Sequence, residues 1–213
     1  MAEPSRYSIN DEDAGITKQG ILKNRLGITD QKHLNDTETI LLSDTYEHFF
    51  ELLSQDKLVV EFSLLFHIHA YFFEPLYSWA GSIRTIDISK DGILFVPARY
   101  IDQALTQFEN SFQKNIPDVK DTKRDIAKKL ARIHVEINVI HPFREGNGRT
   151  IRLFVDLLAA SVGYNPVDWG KQSQKMYIKA CIKGMAQEYG GMERLIFAGL
   201  AKKNIESKKT KKQ

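Results

Sequence analysis

Apolar residues recur every three or four positions along most of this chain, the period of an α-helix packed on one side. Over residues 37–53, Ile40, Leu41, Phe49, Phe50 and Leu53 form such a stripe despite gaps. Residues 62–73 are apolar almost all round, which predicts a buried helix. After Pro97, the residues Ile101, Ala104, Leu105, Phe108 and Phe112 share one helical face. Ile126, Leu130, Ile133, Ile137 and Ile140 keep the same spacing, and Asp121 or Thr122 stands where an N-cap belongs. Residues 151–162 predict a further apolar helix ending near Gly163, and residues 175–185 and 192–200 predict two more. No internal repeat of solenoid length is present.

One stretch follows a different period. Residues 84–96, RTIDISKDGILFV, alternate apolar and polar side chains around Lys90-Asp91-Gly92. Asp-Gly between β-branched runs is a strong hairpin signal. A lone hairpin is marginal in water, so it must lean on the helices or project from them as a docking edge. The expected fold is all-α with one small β-hairpin.

Composition narrows the class. A chain of 213 residues fits one domain, and its 42% hydrophobic and 27% charged content is that of a soluble globular protein. No apolar run approaches the ~20 residues that span a bilayer, so no membrane partner is expected. The polar, acidic N-terminus is not a secretory signal. The single Cys181 excludes an internal disulfide and suits a reducing cytosol, where a buried packing role is expected for it. The net charge of +3 misleads, because residues 201–213 hold six lysines against Glu206 and leave the body mildly acidic. That distribution is not a nucleic-acid footprint and reads as a solvated, disordered tail.

The chemistry concentrates in HPFREGNGRTIR, residues 141–152. Pro142 disfavours helical geometry at His141, so the preceding helix should stop and the chain should turn. Gly146, Asn147 and Gly148 tolerate left-handed backbone angles, and successive amides there can form an anion nest. A helix starting near Arg149 would add the positive end of its dipole. Arg149 and Arg152 share a helical face, and two guanidinium forks beside an amide nest suit a polyphosphate. Glu145 would sit among phosphates unless it held a cation, and magnesium takes one or two carboxylates plus phosphate oxygens. His141 can accept a proton from an attacking hydroxyl. Phe143 would anchor the loop inward. Each piece alone has a bland reading; together, within 12 residues, they point to a phosphate site.

These residues resemble the full motif of Fic-domain proteins, His-x-Phe-x-Asp/Glu-Gly-Asn-Gly-Arg-x-x-Arg. The block IHAYFFEPLYSWAGSIR, residues 68–84, also resembles the family, and the hairpin corresponds to its flap. Residues 20–28, GILKNRLGI, are similar to the lead-in of bacterial Fic toxins paired with a separate small antitoxin. The resemblance runs over residues 18–200, leaving a polar N-terminal segment over 1–17 and the basic tail over 201–213. It implies transfer of AMP from ATP to a Ser, Thr or Tyr hydroxyl of a target protein, with release of pyrophosphate. It implies His141 as general base and Glu145 holding Mg2+ between the phosphates. Gly146, Asn147 and Gly148 would cradle phosphates, Arg149 would bind the β-phosphate region and Arg152 the γ-phosphate. Tyr177 would line the base pocket, though a core tyrosine fits equally. The flap, with Ile86, Asp87, Ile88, Ser89, Lys90 and Phe95, would hold an extended target segment.

Family members are commonly silenced by a helix bearing Ser/Thr-x-x-x-Glu-Gly/Asn. This chain has no full match; Ser8 to Glu12 comes closest, and Asp13 fails the last position. A separate antitoxin-like protein is therefore the expected restraint. The expected setting is cytosolic, or a host cell into which the protein is delivered. Phosphocholine transfer, phosphorylation, AMP removal and non-catalytic nucleotide binding are the competing readings. An intact His141 and Glu145 argue against a pure binder. His67 and His69 should point to different faces rather than form a metal pair. His134, Trp79 and Trp169 read as packed side chains, and Asn138 as a residue that fixes the loop.

Overall fold

The computed structural model describes residues 8–9, 21–90 and 93–203. Among them are seven α-helices and one small sheet. The helices are α1 (Gln31–Ser54), α2 (Leu64–Phe73), α3 (Ile101–Asn115), α4 (Lys123–Ile140), α5 (Asn147–Ser161), α6 (Gln174–Met185) and α7 (Gly190–Gly199). The strands are β1 (Ser8–Ile9), β2 (Ile88–Lys90) and β3 (Ile93–Leu94).

Helix α4 is the axis. It packs against α3, α5, α6 and α7, while α5 meets α1 and α2 on its other side. Its isoleucine stripe explains this, because Ile126, Leu130, Ile133, Ile137 and Ile140 are all buried. Thr122, not Asp121, is its N-cap, accepting from Asp125 N at 3.2 Å. Asp121 instead pairs with Lys129 at 2.6 Å. Helix α3 enters through a 3-10 turn, Ala98–Tyr100, and turns Ile101, Leu105, Phe108 and Phe112 inward. These residues join Phe154, Leu157 and Ile196 in the main core, where each fully buried side chain contributes roughly 1.5–3 kcal/mol. A smaller cluster of Ile21, Leu34, Phe72, Phe73, Leu76 and Tyr77 lies between α1 and α2.

Several boundaries differ from the sequence reading. Helix α1 starts at Gln31 rather than at residue 37, because the Asp30 carboxylate caps His33 N at 2.7 Å and Leu34 is buried. Helix α2 starts at Leu64 and is not apolar-buried all round, since His67 and Tyr71 lie on its exposed side. Cys181, Trp79 and Trp169 are half-buried rather than enclosed.

The sheet also differs, with three strands in the order β1-β2-β3 rather than a bare hairpin. Ser89 pairs with Leu94 and Lys90 with Ile93, so the hairpin is as read but shorter, and Asp91-Gly92 lies outside the described residues. On the other edge of β2, Ser8 pairs with Ser89 and Ile9 with Ile88, both antiparallel. The other residues of the N-terminal segment, and residues 204–213 of the tail, lie outside the described residues. Residues 201–203 are not free: Lys203 N donates to Gly163 O at 3.0 Å and Asn165 N to Ala201 O at 2.8 Å. These bonds satisfy backbone groups at the exit of α5, which is why the start of the basic stretch is ordered. Among the described residues, no helix is long and apolar enough to cross a membrane.

Candidate active site

The site forms where α4 stops and α5 begins. His141 is the C-cap of α4, with φ 52° and ψ 60°, and its amide still donates to Ile137 O at 2.8 Å. Pro142 excludes the helical alternative, and the left-handed turn swings the imidazole off the helix. Its Nδ1 lies 2.9 Å from the Asn138 carbonyl, which can only accept. Nδ1 therefore carries the proton, and Nε2 is the ring's acceptor atom. Asn138 thus fixes the loop through its carbonyl. The Phe95 ring stacks on the imidazole with centroids 3.7 Å apart. Burial pulls the His141 pKa down to about 3, with Arg84 and Lys90 adding to the drop and the Asn138 bond opposing it.

The turn after Pro142 is held by its own side chains. Phe143 is fully buried and stacks on His69 at 3.8 Å. The Asn147 side chain accepts from Phe143 N at 2.9 Å and donates to Phe143 O at 2.7 Å. Asn147 therefore closes the loop with its side chain, which leaves its backbone amide as the group that could serve an anion. Helix α5 starts at Asn147, two residues before the position expected from sequence, with Gly146 as N-cap at φ 77°. The amides of Arg149 and Thr150 bond to Gly146 O at 3.1 and 3.0 Å. Those of Asn147 and Gly148 lie before the first intrahelical bond, at the helix end where an anion could be bound. Of the three residues that tolerate left-handed angles, Gly146 adopts one, and His141 adopts one as well.

Charged groups ring this turn. Glu145 is held by Gly146 N at 2.8 Å and lies 3.6 Å from Arg149. Burial raises its carboxyl above the ordinary range, and Arg149 opposes that rise. Arg149 pairs with Glu38 at 2.6 Å, and Tyr77 donates to the other Glu38 oxygen at 2.7 Å. Its guanidinium also lies over the Phe72 and Phe73 rings. Arg152 donates to the Tyr177 hydroxyl at 3.4 Å and lies 5.5 Å over its ring, while His134 Nε2 is 3.0 Å from the same hydroxyl. Tyr177 is thus half-buried support for Arg152. Behind it, Asp156 accepts from Tyr46, Val167 N and Trp169. Burial raises the Asp156 carboxyl to about 7.

The flap residues divide by direction. Ser89 and Lys90 lie on β2, half-buried, and Ile86 is half-buried before it. Phe95 and Ile88 are buried, so they hold the flap down rather than face a target. The Asp87 carboxylate accepts from Ala98 N at 2.7 Å and shapes the flap base.

Sequence reasoning missed Glu38, Tyr77, His69 and Arg84. Glu38 carried a signal, since it falls on the buried stripe of α1 with Leu34, Thr45 and Phe49. His69 accepts from Gly81 N at 2.8 Å through Nδ1, so its Nε2 donates to the Glu145 carbonyl at 3.1 Å. Burial lowers its pKa to about 3, so it works as a neutral clamp.

The Fic/DOC family pattern matches residues 59–159, from the strap before α2 to the end of α5. The chain is 30% identical over 202 residues to "Protein adenylyltransferase VbhT" of Bartonella schoenbuchensis, covering 94% of this chain and 40% of that protein. It is also 30% identical over 182 residues to "Probable protein adenylyltransferase y4lH" of Sinorhizobium fredii, covering 85% of this chain and 92% of that protein. In fold it matches the BepC protein of Bartonella tribocorum with bound AMPPNP, with TM-score 0.75 and 23% identity, covering 91% of this chain and 99% of that one. Motif, loop geometry and these likenesses agree: the chain belongs to the Fic/DOC family.

Proposed function

We propose that this chain is a protein adenylyltransferase that moves AMP from ATP to a Ser, Thr or Tyr hydroxyl of a target protein. The observation that carries this reading is the tautomer of His141, which makes Nε2 the ring's acceptor in the turn that leads into the start of α5. The names of the relatives, VbhT and y4lH, support it.

The target hydroxyl attacks the α-phosphorus, an O–P bond forms, and the bond to the bridging oxygen of the β-phosphate breaks. Pyrophosphate leaves, and the hydroxyl proton passes to His141 Nε2. A pKa near 3 would make His141 a weak base, but a bound triphosphate places negative charge beside the ring and raises it. The amides of Asn147 and Gly148, with Arg149 and Arg152, neutralise the phosphates and the leaving group. Such positioning and charge stabilisation supply most of the catalysis in this kind of transfer.

Among the described residues no three His, Cys, Asp or Glu side chains gather as a metal cage. The half-buried carboxylate of Glu145 fits Mg2+, which takes one or two carboxylates and completes its shell with phosphate oxygens and water. When bound, the ion would offset phosphate charge, with Glu145 holding it.

The target segment docks along the flap. Strand β2 is paired on both edges, with Ser8–Ile9 on one and β3 on the other, so the outer edge of β3 is the one an added target strand would use. The likeness of residues 20–28 to the lead-in of antitoxin-paired Fic toxins favours a separate protein as the restraint, acting in the cytosol. The test is incubation with a proteome extract, ATP and Mg2+, followed by peptide mass spectrometry. AMP adducts on Ser, Thr or Tyr are expected; phosphate adducts alone, or none, would overturn the reading.

A further inference from the structure

Arg84 sits at the end of the second block shared with the family, yet no step above uses it. Its side chain is buried, 4% exposed. Nε donates to His141 O at 2.8 Å and Nη2 to Ile140 O at 3.3 Å. Nη1 donates to Ile86 O at 2.7 Å, and Nη2 also reaches Val96 O. Its own amide donates to Pro142 O at 2.9 Å.

These acceptors fall into two groups. Ile140 O and His141 O belong to the last turn of α4, whose carbonyls have no intrahelical donors and carry the negative end of the helix dipole. Ile86 O and Val96 O stand at the entry and exit of the flap. A guanidinium is planar, with five donors in a fixed fork, so one rigid group sets the spacing of all three backbone segments. An ammonium is a point charge on a flexible stem and has no such geometry. The flap is also tied to α4 by Val96 N to Val139 O at 3.4 Å and by the Phe95 stack on His141.

We propose that Arg84 is a positioning residue that locks the flap to His141, so that target docking and proton acceptance share one rigid frame. This rests on reading the flap as the target edge and His141 as the base. Near-attack geometry tolerates little displacement, and a shift of about 1 Å can cost on the order of 10²-fold in rate. These four side-chain bonds of Arg84 go to the end of α4 and to the flap, so its loss should act on those segments and leave nucleotide affinity at the wild-type value.

The test compares wild type with Arg84→Gln and Arg84→Lys. Amide exchange over residues 86–96 and 139–141 should accelerate together in both variants. AMPPNP affinity should stay at the wild-type value. The turnover number for AMP transfer should fall on the order of 10²-fold, with KM for ATP unmoved and KM for the target protein raised. Should Arg84→Gln fail to fold, Arg84→Lys carries every arm. Faster exchange in the flap alone, with residues 139–141 still protected, would overturn the coupling. So would AMPPNP affinity that falls in step with turnover. If wild type moves no AMP at all, the adenylyl-transfer reading fails, while the exchange and AMPPNP arms still decide the coupling.

Discussion

Gly146→Ala should destabilise the whole domain, not only the site. Gly146 has φ +77°, and a Cβ built there would lie 2.1 Å from Phe73 Cε2 and 2.5 Å from Cζ. Left-handed geometry costs an L-residue roughly 1–2 kcal/mol. Forcing a methyl into the Phe73 ring adds an overpacking cost of roughly 1–3 kcal/mol. The ring cannot swing away cheaply, because Phe73 is fully buried and packed against Phe72, Tyr77, Trp79 and His69. The sum is about 2–5 kcal/mol, or a fall in melting temperature of roughly 4–20 °C for a chain of this size. Thermal melting followed by circular dichroism measures it. Gly148→Ala is the control: its φ is ordinary and the nearest atom is Arg152 Nη1 at 3.7 Å. Being inside α5, it should be neutral or gain up to ~1 kcal/mol in stability. Equal melting of Gly146→Ala and wild type, or equal losses in both variants, would refute the steric argument.

Glu38→Ala should strand Arg149 and lose Tyr77's acceptor, costing about 1–3 kcal/mol and raising KM for ATP more than it lowers turnover; a kinetic titration with ATP checks this, and an unchanged KM would remove Glu38 from the site. Acid should weaken the fold in a defined window. His69, His134 and His141 have folded pKa values lowered to about 3 by burial, so the stability they confer is present above the unfolded value near 6.5 and is lost as pH falls from there toward 3. Asp156 acts oppositely, since its pKa is raised to about 7 and its contribution is fully present below the unfolded value near 3.8 and lost as pH rises through 7. The raised carboxyl of Glu145 opposes the histidines in the same sense as Asp156; three histidines outweigh these two carboxylates, so urea unfolding should show stability rising from pH 4 to 6, and Asp156→Asn should steepen that rise. A flat profile would mean the histidines are hydrated.

Much of the architecture was legible because burial follows a period. The Ile126-to-Ile140 stripe marked α4, and Pro142 marked its end, since both signals act within a few residues. The candidate loop between α4 and α5 was legible because Gly146, Glu145, Arg149 and Arg152 lie in one short run. What escaped was long-range. Glu38 lies 111 residues from Arg149 and Arg84 lies 57 from His141, and no local spacing encodes those bonds. Asn147 was read for its amide, but its side chain closes the loop on Phe143. Phe95 alternated correctly for a strand, yet the face it joined could be known only once His141 lay beneath it. Strand β1 is only two residues long and has no pattern to read.

The central claim is that His141 takes a hydroxyl proton while the α-phosphate is transferred. ATP labelled at the α- or the γ-phosphate, supplied with Mg2+ and a target-containing extract, tests it directly. The α-label should become bound to protein and the γ-label should leave with pyrophosphate. His141→Ala should slow incorporation by roughly 10²- to 10⁴-fold while AMPPNP still binds. Retention of the γ-label without the α-label, or His141→Ala as fast as wild type, would contradict the account.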